Sequence, residues 1–228
     1  MTKFASQLPF REERVLLHEL NHRIINEFAS AISVVSLAAA RSGNDEVKLA
    51  LTGVTELLHH YADVHRALEM PEHDARIDAA TYLRNLCLSI SRSKLDQMNI
   101  NLVLAACPLP LQSDQCWRLG MIVHELITNA ARHAFAGGNG EIRVQLLCAG
   151  MLAECWVLDN GSVRAAVQPG RGLNIVHELS KGLGGRFVQK FGTEGSASIL
   201  VFPYSGEPQK TAVTRTQRGL AEQTAGCA

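Results

Sequence analysis

The stretch His124-Glu125-Leu126-Ile127-Thr128-Asn129-Ala130-Ala131-Arg132-His133 lays a polar stripe along an otherwise apolar helical pattern. Glu125 and Asn129 stand at i and i+4, so their side chains project from one helical face. A carboxylate and an amide oxygen so placed suit Mg2+, a hard cation that prefers oxygen ligands and keeps several waters. Arg132 and His133 follow one turn later, where they would meet phosphate oxygens. Taken alone, the same pattern equally describes an amphipathic helix with a solvated polar face.

Around this helix the chain has mixed character. Ser113 or Asp114 can cap a helix that continues to about Phe135, and Gly137-Gly138-Asn139-Gly140 ends it. Upstream lie a helical pattern from Tyr82 to Leu95 and a strand-like run from Ile100 to Ala106, closed by Cys107-Pro108. Downstream come two β-like segments, Glu141 to Leu147 and Leu152 to Leu158, then a helix from Gly172 to Leu183. After Gly184-Gly185 the runs Arg186 to Lys190 and Ser198 to Phe202 pattern as a strand pair. Helices and strands without regular alternation predict an α+β fold, here a two-layer α/β sandwich over residues 76–204.

The N-terminal part is different. Val15, Leu16, Leu20, Ile24, Phe28, Ile32, Val35 and Leu37 recur at three- and four-residue steps, which predicts a long amphipathic helix from about Arg11 to Arg41. Ser42-Gly43-Asn44-Asp45 breaks it. A second pattern (Val47, Leu51, Val54, Leu57, Leu58, Tyr61, Val64, Leu68) runs to Met70-Pro71, where the proline stops it. Residues 11–72 thus form a helical hairpin, and two helices alone enclose no core. A four-helix homodimer is the economical way to cover their apolar stripes. Beyond Pro203 the composition turns to Ser, Gly, Thr, Gln and Ala, which suits a disordered tail over 205–228.

Gross properties narrow the function. The formal net charge is zero over 228 residues and no dense basic run occurs, so nothing favours nucleic acid. No secretory signal opens the chain. Uninterrupted apolar runs such as Leu37 to Ala40 fall far short of the roughly 20 residues that span a bilayer, so a cytoplasmic protein without a membrane span is expected. Six cysteines (Cys87, Cys107, Cys116, Cys148, Cys155, Cys227) contain no Cys-x-x-Cys pair and read as reduced core thiols.

On the first helix, Glu19-Leu20-Asn21-His22-Arg23 runs into Asn26. A phosphoryl acceptor needs an exposed neutral imidazole with a free lone pair at a fixed position. His22 sits mid-helix among polar neighbours, with Glu19 at i−3 and Asn26 at i+4 on the same face. Either can orient the ring, and Glu19 can also take its proton. By itself, a surface histidine on a dimer helix is the commoner explanation. Further on, Asp159-Asn160-Gly161 follows a β-like stretch, and Gly161 permits close backbone approach; such a triplet is more often an ordinary turn. Gly170-Arg171-Gly172-Leu173 opens a helix whose N-terminal amides can receive phosphate, although an unliganded helix start is the simpler account of Gly-x-Gly.

Taken in order and spacing, these boxes resemble the catalytic core of sensor histidine kinases from about Leu16 to Pro203. The Glu-Leu-Asn-His-Arg box is similar to the subgroup whose phosphorylated His is followed by Arg, related to kinases named for their His and Trp-x-Glu signatures. The resemblance implies a Bergerat-type ATP-binding domain and His22 as acceptor; His18 does not align with it. Asn129 would hold the metal that bridges the phosphates, with Glu125 assisting. Asp159 would accept a hydrogen bond from the adenine amino group, and Gly195-Ser196 would form the last glycine box. ATP and Mg2+ are the expected cofactors. A response-regulator receiver aspartate is the expected phosphoryl acceptor, docking on the hairpin around His22. Few residues precede the hairpin, so the signal is expected to arrive from a separate sensor protein, or the core to act as a relay.

Departures from the family pattern stand beside the matches. Val163 replaces the second glycine of the first glycine box, and the segment to Gly170 is short, which abbreviates the lid over ATP. Trp156 is one residue out of register for the Trp-x-Glu signature, with Asp159 where its Glu would be, and Ile25 stands where a lysine is common. These favour an alternative, a histidine phosphotransfer and docking protein with a degenerate nucleotide domain. A third option is an ATPase of the same wider fold without histidine transfer.

Overall fold

A computed structural model describes residues 8–69, 76–135, 138–162, 171–193 and 195–205. The expected tail therefore lies outside the described residues apart from Ser205, as do Pro71, Gly137 and Gly170.

The N-terminal helices form as their periodicity predicts. Helix α1 spans Leu8–Arg41 and α2 spans Asp45–Ala67. Asn44 caps α2: its Oδ1 accepts from Glu46 N at 2.8 Å and Val47 N at 3.4 Å, satisfying amides that have no partner inside the helix. The two helices pack antiparallel as a hairpin, yet Val15, Leu16, Leu20, Val34 and Leu37 of α1 stay exposed. One stretch, His18–Arg41, is long and apolar enough by length and composition to cross a bilayer. This qualifies the expectation of no such segment: interleaved Ala and Ser keep each uninterrupted run short while leaving the average hydropathy high.

The remainder is a mixed α/β unit. Strand β1 (Arg76–Asp78) pairs antiparallel with β3 (Pro110–Gln112), a ribbon the sequence pattern missed because three-residue strands carry no readable period. Asp78 then caps α3 (Ala79–Ile90) and also accepts from Leu109 N at 3.0 Å, joining the helix start to the β3 approach. The regular helix ends at Ile90, short of the expected Leu95. A π-helical turn, Ser91–Leu95, and a 3-10 turn, Asp96–Met98, follow. Ser91 and Ser93 are weak helix formers whose hydroxyls bond locally, Ser93 to the Ile90 carbonyl at 3.0 Å. Asn99, at φ 53°, stops the turn. Helix α4 (Ser113–His133) is capped by Gln112 rather than Ser113 or Asp114, and Gln112 N donates to Gln115 Oε1 at 3.4 Å. Ser113 is buried and Asp114 turns along the helix towards Arg118, so neither serves as the cap.

Five strands make the main sheet: β2 (Ile100–Ala106), β4 (Gly140–Ala149), β5 (Leu152–Asp159), β6 (Arg186–Gly192) and β7 (Gly195–Pro203). Their order is β2-β4-β5-β7-β6, with β2 and β4 parallel and the other pairs antiparallel. Strand alternation puts Ile142, Val144 and Leu146, then Ala153, Cys155 and Val157, then Leu200 and Phe202 into the core. They join one cluster with Leu83 and Leu86 of α3 and Leu119, Ile122 and Ile127 of α4. Helix α5 (Arg171–Gly182) packs beside α4. The result is the two-layer α+β sandwich behind an N-terminal helical pair.

The cysteine expectation needs correcting. Cys87, Cys116 and Cys155 are free and buried, but Cys107 and Cys148 form a disulfide. Cys107 N donates to the Leu146 carbonyl at 2.9 Å, and this backbone bond holds the end of β2 beside β4. The pairing was invisible in a sequence separation of 41 residues.

Candidate functional site

Helix α4 buries Leu126, Ile127 and Ala131 and leaves Glu125 and Asn129 half-buried on another face. Against that face lies the start of α5. A Cβ placed on Gly172 would sit 2.6 Å from Glu125 Oε2 and 3.6 Å from Asn129 Nδ2, so only glycine lets the helix N-terminus approach both polar groups. Leu173, next on α5, is half-buried. Arg132 and His133 are exposed on the last turn of α4. The sequence reading missed Lys94, from the π-helical turn. Burial, then the charge of Arg132, hold its amine below the usual lysine range, which places two cations near one another. It also gave no role to His124. Burial, then His65 and Lys94, push this imidazole down to about 4, and its Nδ1 has no partner among the described residues.

A second group forms where β4, β5 and β7 meet the end of α4. Asp159 ends β5 and faces Ser196 in register. Its carboxylate accepts from Gly161 N at 3.1 Å, from Ser196 N at 3.3 Å and from the Ser196 hydroxyl. Asn160 Oδ1 accepts from Glu141 N at 2.8 Å, fastening the same corner to β4. Gly161 is buried, and a Cβ there would run into the Ala134 carbonyl. Asp159, Gly161 and Ser196 are therefore gathered at one sheet end, with Gly161 directly against the residue that follows α4.

His22 is exposed on α1, and Asn26 Nδ2 lies 3.4 Å from its Nδ1. Glu19 does not touch the ring. It accepts from Arg23 Nε at 2.9 Å, and that hydrogen bond and charge hold its carboxyl below the usual range. The charge of His22 also acts on the Glu19 carboxyl, so both residues expected near the ring lie in its neighbourhood. The His18 ring lies 6.0 Å from that of His22 and its Nε2 is 3.3 Å from Glu69.

A cavity of about 310 Å3 is lined by Arg76, Gln112, Asp114 and Gly182 among others. It sits at the opening of α4, and Asp114 and Asn129 are about 20 Å apart along that helix, so the cavity is unrelated to the two groups above. The donor chemistry at Glu125 and Asn129 fits a hard divalent cation: a carboxylate oxygen and an amide, drawn together under the α5 N-terminus, with room for water on a half-exposed face.

Residues 19–94 match the HisKA_2 family model, described as histidine kinase, so the match begins at Glu19 of α1 and ends at Lys94 in the π-helical turn. The blue-light-activated histidine kinase 2 of Erythrobacter litoralis (strain HTCC2594) is 24% identical over 215 residues, covering 88% of this chain and 60% of that protein. The sensor histidine kinase PdtaS of Mycobacterium tuberculosis is 28% identical over 197 residues, covering 78% of this chain and 38% of that protein. The chain thus spans less than two thirds of the length of either curated relative. Among solved structures, the histidine kinase domain of the Erythrobacter litoralis EL346 blue-light-activated histidine kinase superposes with a TM-score of 0.55 at 19% identity, covering 78% of this chain and 95% of that one, which shows a shared fold. The stretch holding the His22 box thus matches a histidine kinase family model, and the helical pair with the mixed sheet has the fold of a histidine kinase domain.

Proposed function

We propose that the chain is an ATP-dependent protein-histidine kinase of a two-component system. In this reading residues 11–72 are the phosphotransfer and dimerisation hairpin and 76–204 the nucleotide domain. The observation that carries it is the approach of Gly172 to Glu125 and Asn129, which sets a helix N-terminus over a hard-oxygen pair. Arg132, His133 and Lys94 surround the phosphates, Gly170, Gly172 and Leu173 line them, and Asp159 with Gly161 and Ser196 receives the adenine. Glu125 and Asn129 would hold Mg2+, which neutralises developing charge on the phosphate oxygens.

His22 supplies the nucleophile. With the Asn26 amide turned so that its oxygen accepts from Nδ1–H, Nε2 carries the lone pair. That nitrogen attacks the γ-phosphorus, the bond to the ADP oxygen breaks, and the Nδ1 proton leaves to solvent around the exposed ring. Glu19, bound to Arg23 on the same helix face, would help orient the ring and could also take its proton. The phosphoryl group then passes to an aspartate of a receiver domain docked on the hairpin. The exposed apolar faces of α1 and α2 fit a homodimeric four-helix bundle acting in the cytoplasm.

Purified protein is incubated with γ-labelled ATP and Mg2+ beside His22→Ala and Asn129→Ala. Acid-labile, base-stable label in the wild type, absent from both variants, is the expected result. A folded dimer that takes no label from ATP but accepts phosphate from a charged receiver supports the second reading, a phosphotransfer and docking protein, which Val163 in the first glycine box favours.

A further inference from the structure

The last turn of α2 is gripped from two sides by residues to which no role has been given so far. From α1, Asn21 reaches it twice. Its Nδ2 donates to the His65 carbonyl at 3.1 Å, and its Oδ1 lies 3.3 Å from His65 Nδ1. From α4, Trp117 Nε1 donates to the Leu68 carbonyl at 2.9 Å. Leu68 is the C-cap of α2, and carbonyls at a helix end have no acceptor role within their own helix. Such groups usually turn to water, so a half-buried indole from another element is a built contact. The His65 ring is further fixed against Phe28, with centroids 5.5 Å apart.

The gripping residues sit next to the proposed chemistry. Asn21 directly precedes His22, and Trp117 stands about two turns before Glu125 on one rigid helix. None of the α1 residues whose burial is described is fully buried, so α1 packs on the rest of the chain through partly exposed contacts. Phosphoryl transfer needs reacting atoms within about 3–3.5 Å in the attack geometry, and any play between α1 and α4 is play in that distance.

We propose that Asn21 and Trp117 are positioning residues that clamp the last turn of α2, one from α1 and one from α4, and thereby set His22 relative to the Glu125–Asn129 face of α4. The proposal rests on the kinase reading above. Asn21 and Trp117 touch neither nucleotide nor phosphate; they act through α2.

Single-turnover labelling with γ-labelled ATP separates this role from a merely structural one. Asn21→Ala and Trp117→Phe are each expected to slow labelling of His22 about ten-fold or more, with the half-saturating ATP concentration unchanged within about two-fold. Phosphoramidate phosphorylates an accessible imidazole without a nucleotide domain, and it is expected to charge His22 at the wild-type rate in both variants. The double variant is expected to be little slower than the worse single one, because either cut opens the same clamp. Wild-type labelling rates in the variants, or an equal loss of phosphoramidate reactivity, overturn the proposal. A wild type that takes no label from ATP instead overturns the kinase reading, and amide exchange then tests the clamp. Trp117→Phe is expected to raise exchange in α1 around His22 as well as in α2, and loosening confined to α4 and α2 overturns the clamp.

Discussion

The hairpin and the sandwich place their apolar residues in opposite ways. Val15, Leu16, Leu20, Val34 and Leu37 of α1 are 51% to 68% exposed, while Leu83, Leu86, Leu119, Ile122, Ile142, Leu146 and Leu200 are 0% exposed. Both regions have clean amphipathic patterns. The difference is that sheet and helices cover each other's apolar faces within one chain, whereas α1 has an outward face that nothing among the described residues covers. The sandwich draws its stability from a buried core to which Val64 of α2 also contributes, whereas the exposed α1 face would gain stability from whatever docks on it.

The largest expected effect breaks the sandwich and spares the contrast. Phe202→Ala removes a fully buried ring from the centre of the core and is expected to cost about 3–5 kcal/mol, read as a lower urea midpoint independent of protein concentration. Leu37→Ala is expected to leave that midpoint nearly unmoved and to weaken dimerisation about ten-fold, seen by sedimentation over a concentration series. A Leu37→Ala protein that associates like the wild type would remove the basis for distinguishing the two regions.

A smaller effect sharpens the contrast at the site. In Gly161→Ala the new methyl meets the Ala134 carbonyl, so backbone must shift, at a cost of about 1–3 kcal/mol. Nucleotide binding, measured by calorimetry, is expected to fall at least ten-fold, while phosphoramidate labelling of His22 on the hairpin stays unchanged. Equal loss of both would mean that the two regions do not act separately.

The smallest is a pH effect inside the sandwich. Burial opposes ionisation of Asp78, yet hydrogen bonds from Thr81 and the amides of Leu109, Thr81 and Ala80 prevail and hold its carboxyl below its ordinary 3.8. A depressed carboxylate contributes stability that is present above the unfolded value and lost as pH falls through the folded one. Asp78→Asn is therefore expected to flatten the acid limb of the stability curve below about pH 4, at a general cost of about 1 kcal/mol from the weakened cap. An acid limb identical to that of the wild type would show that the Asp78 hydrogen bonds contribute no pH-dependent stability.

Legibility followed the range of the contacts. The spacing of His22 and Asn26 on one helix was readable, and the structure brings them within 3.4 Å. Glu19 shares that face at i−3, and its i,i+4 spacing to Arg23 is equally local, the pair the structure closes at 2.9 Å. Gly172 was marked by its motif, although its place against Glu125 and Asn129 depends on how α5 packs on α4. Lys94, His65 and Trp117 carried no signal at all, because each meets its partner across a long stretch of chain. A lysine or tryptophan near a helix end is ordinary until its neighbours are known.

By itself, then, the sequence determined the periodic elements, the division into hairpin and sandwich, and the residues sharing a helical face. Those follow from dihedral repeats of 3.6 and 2 that any window of residues displays. Only the tertiary structure decided the β1–β3 ribbon, the Cys107–Cys148 pair, the closure of Ser196 on Asp159 and the grip of Asn21 and Trp117 on α2. Each depends on the path of the chain between distant positions, and that path is set by burying one shared core, a property of the whole molecule.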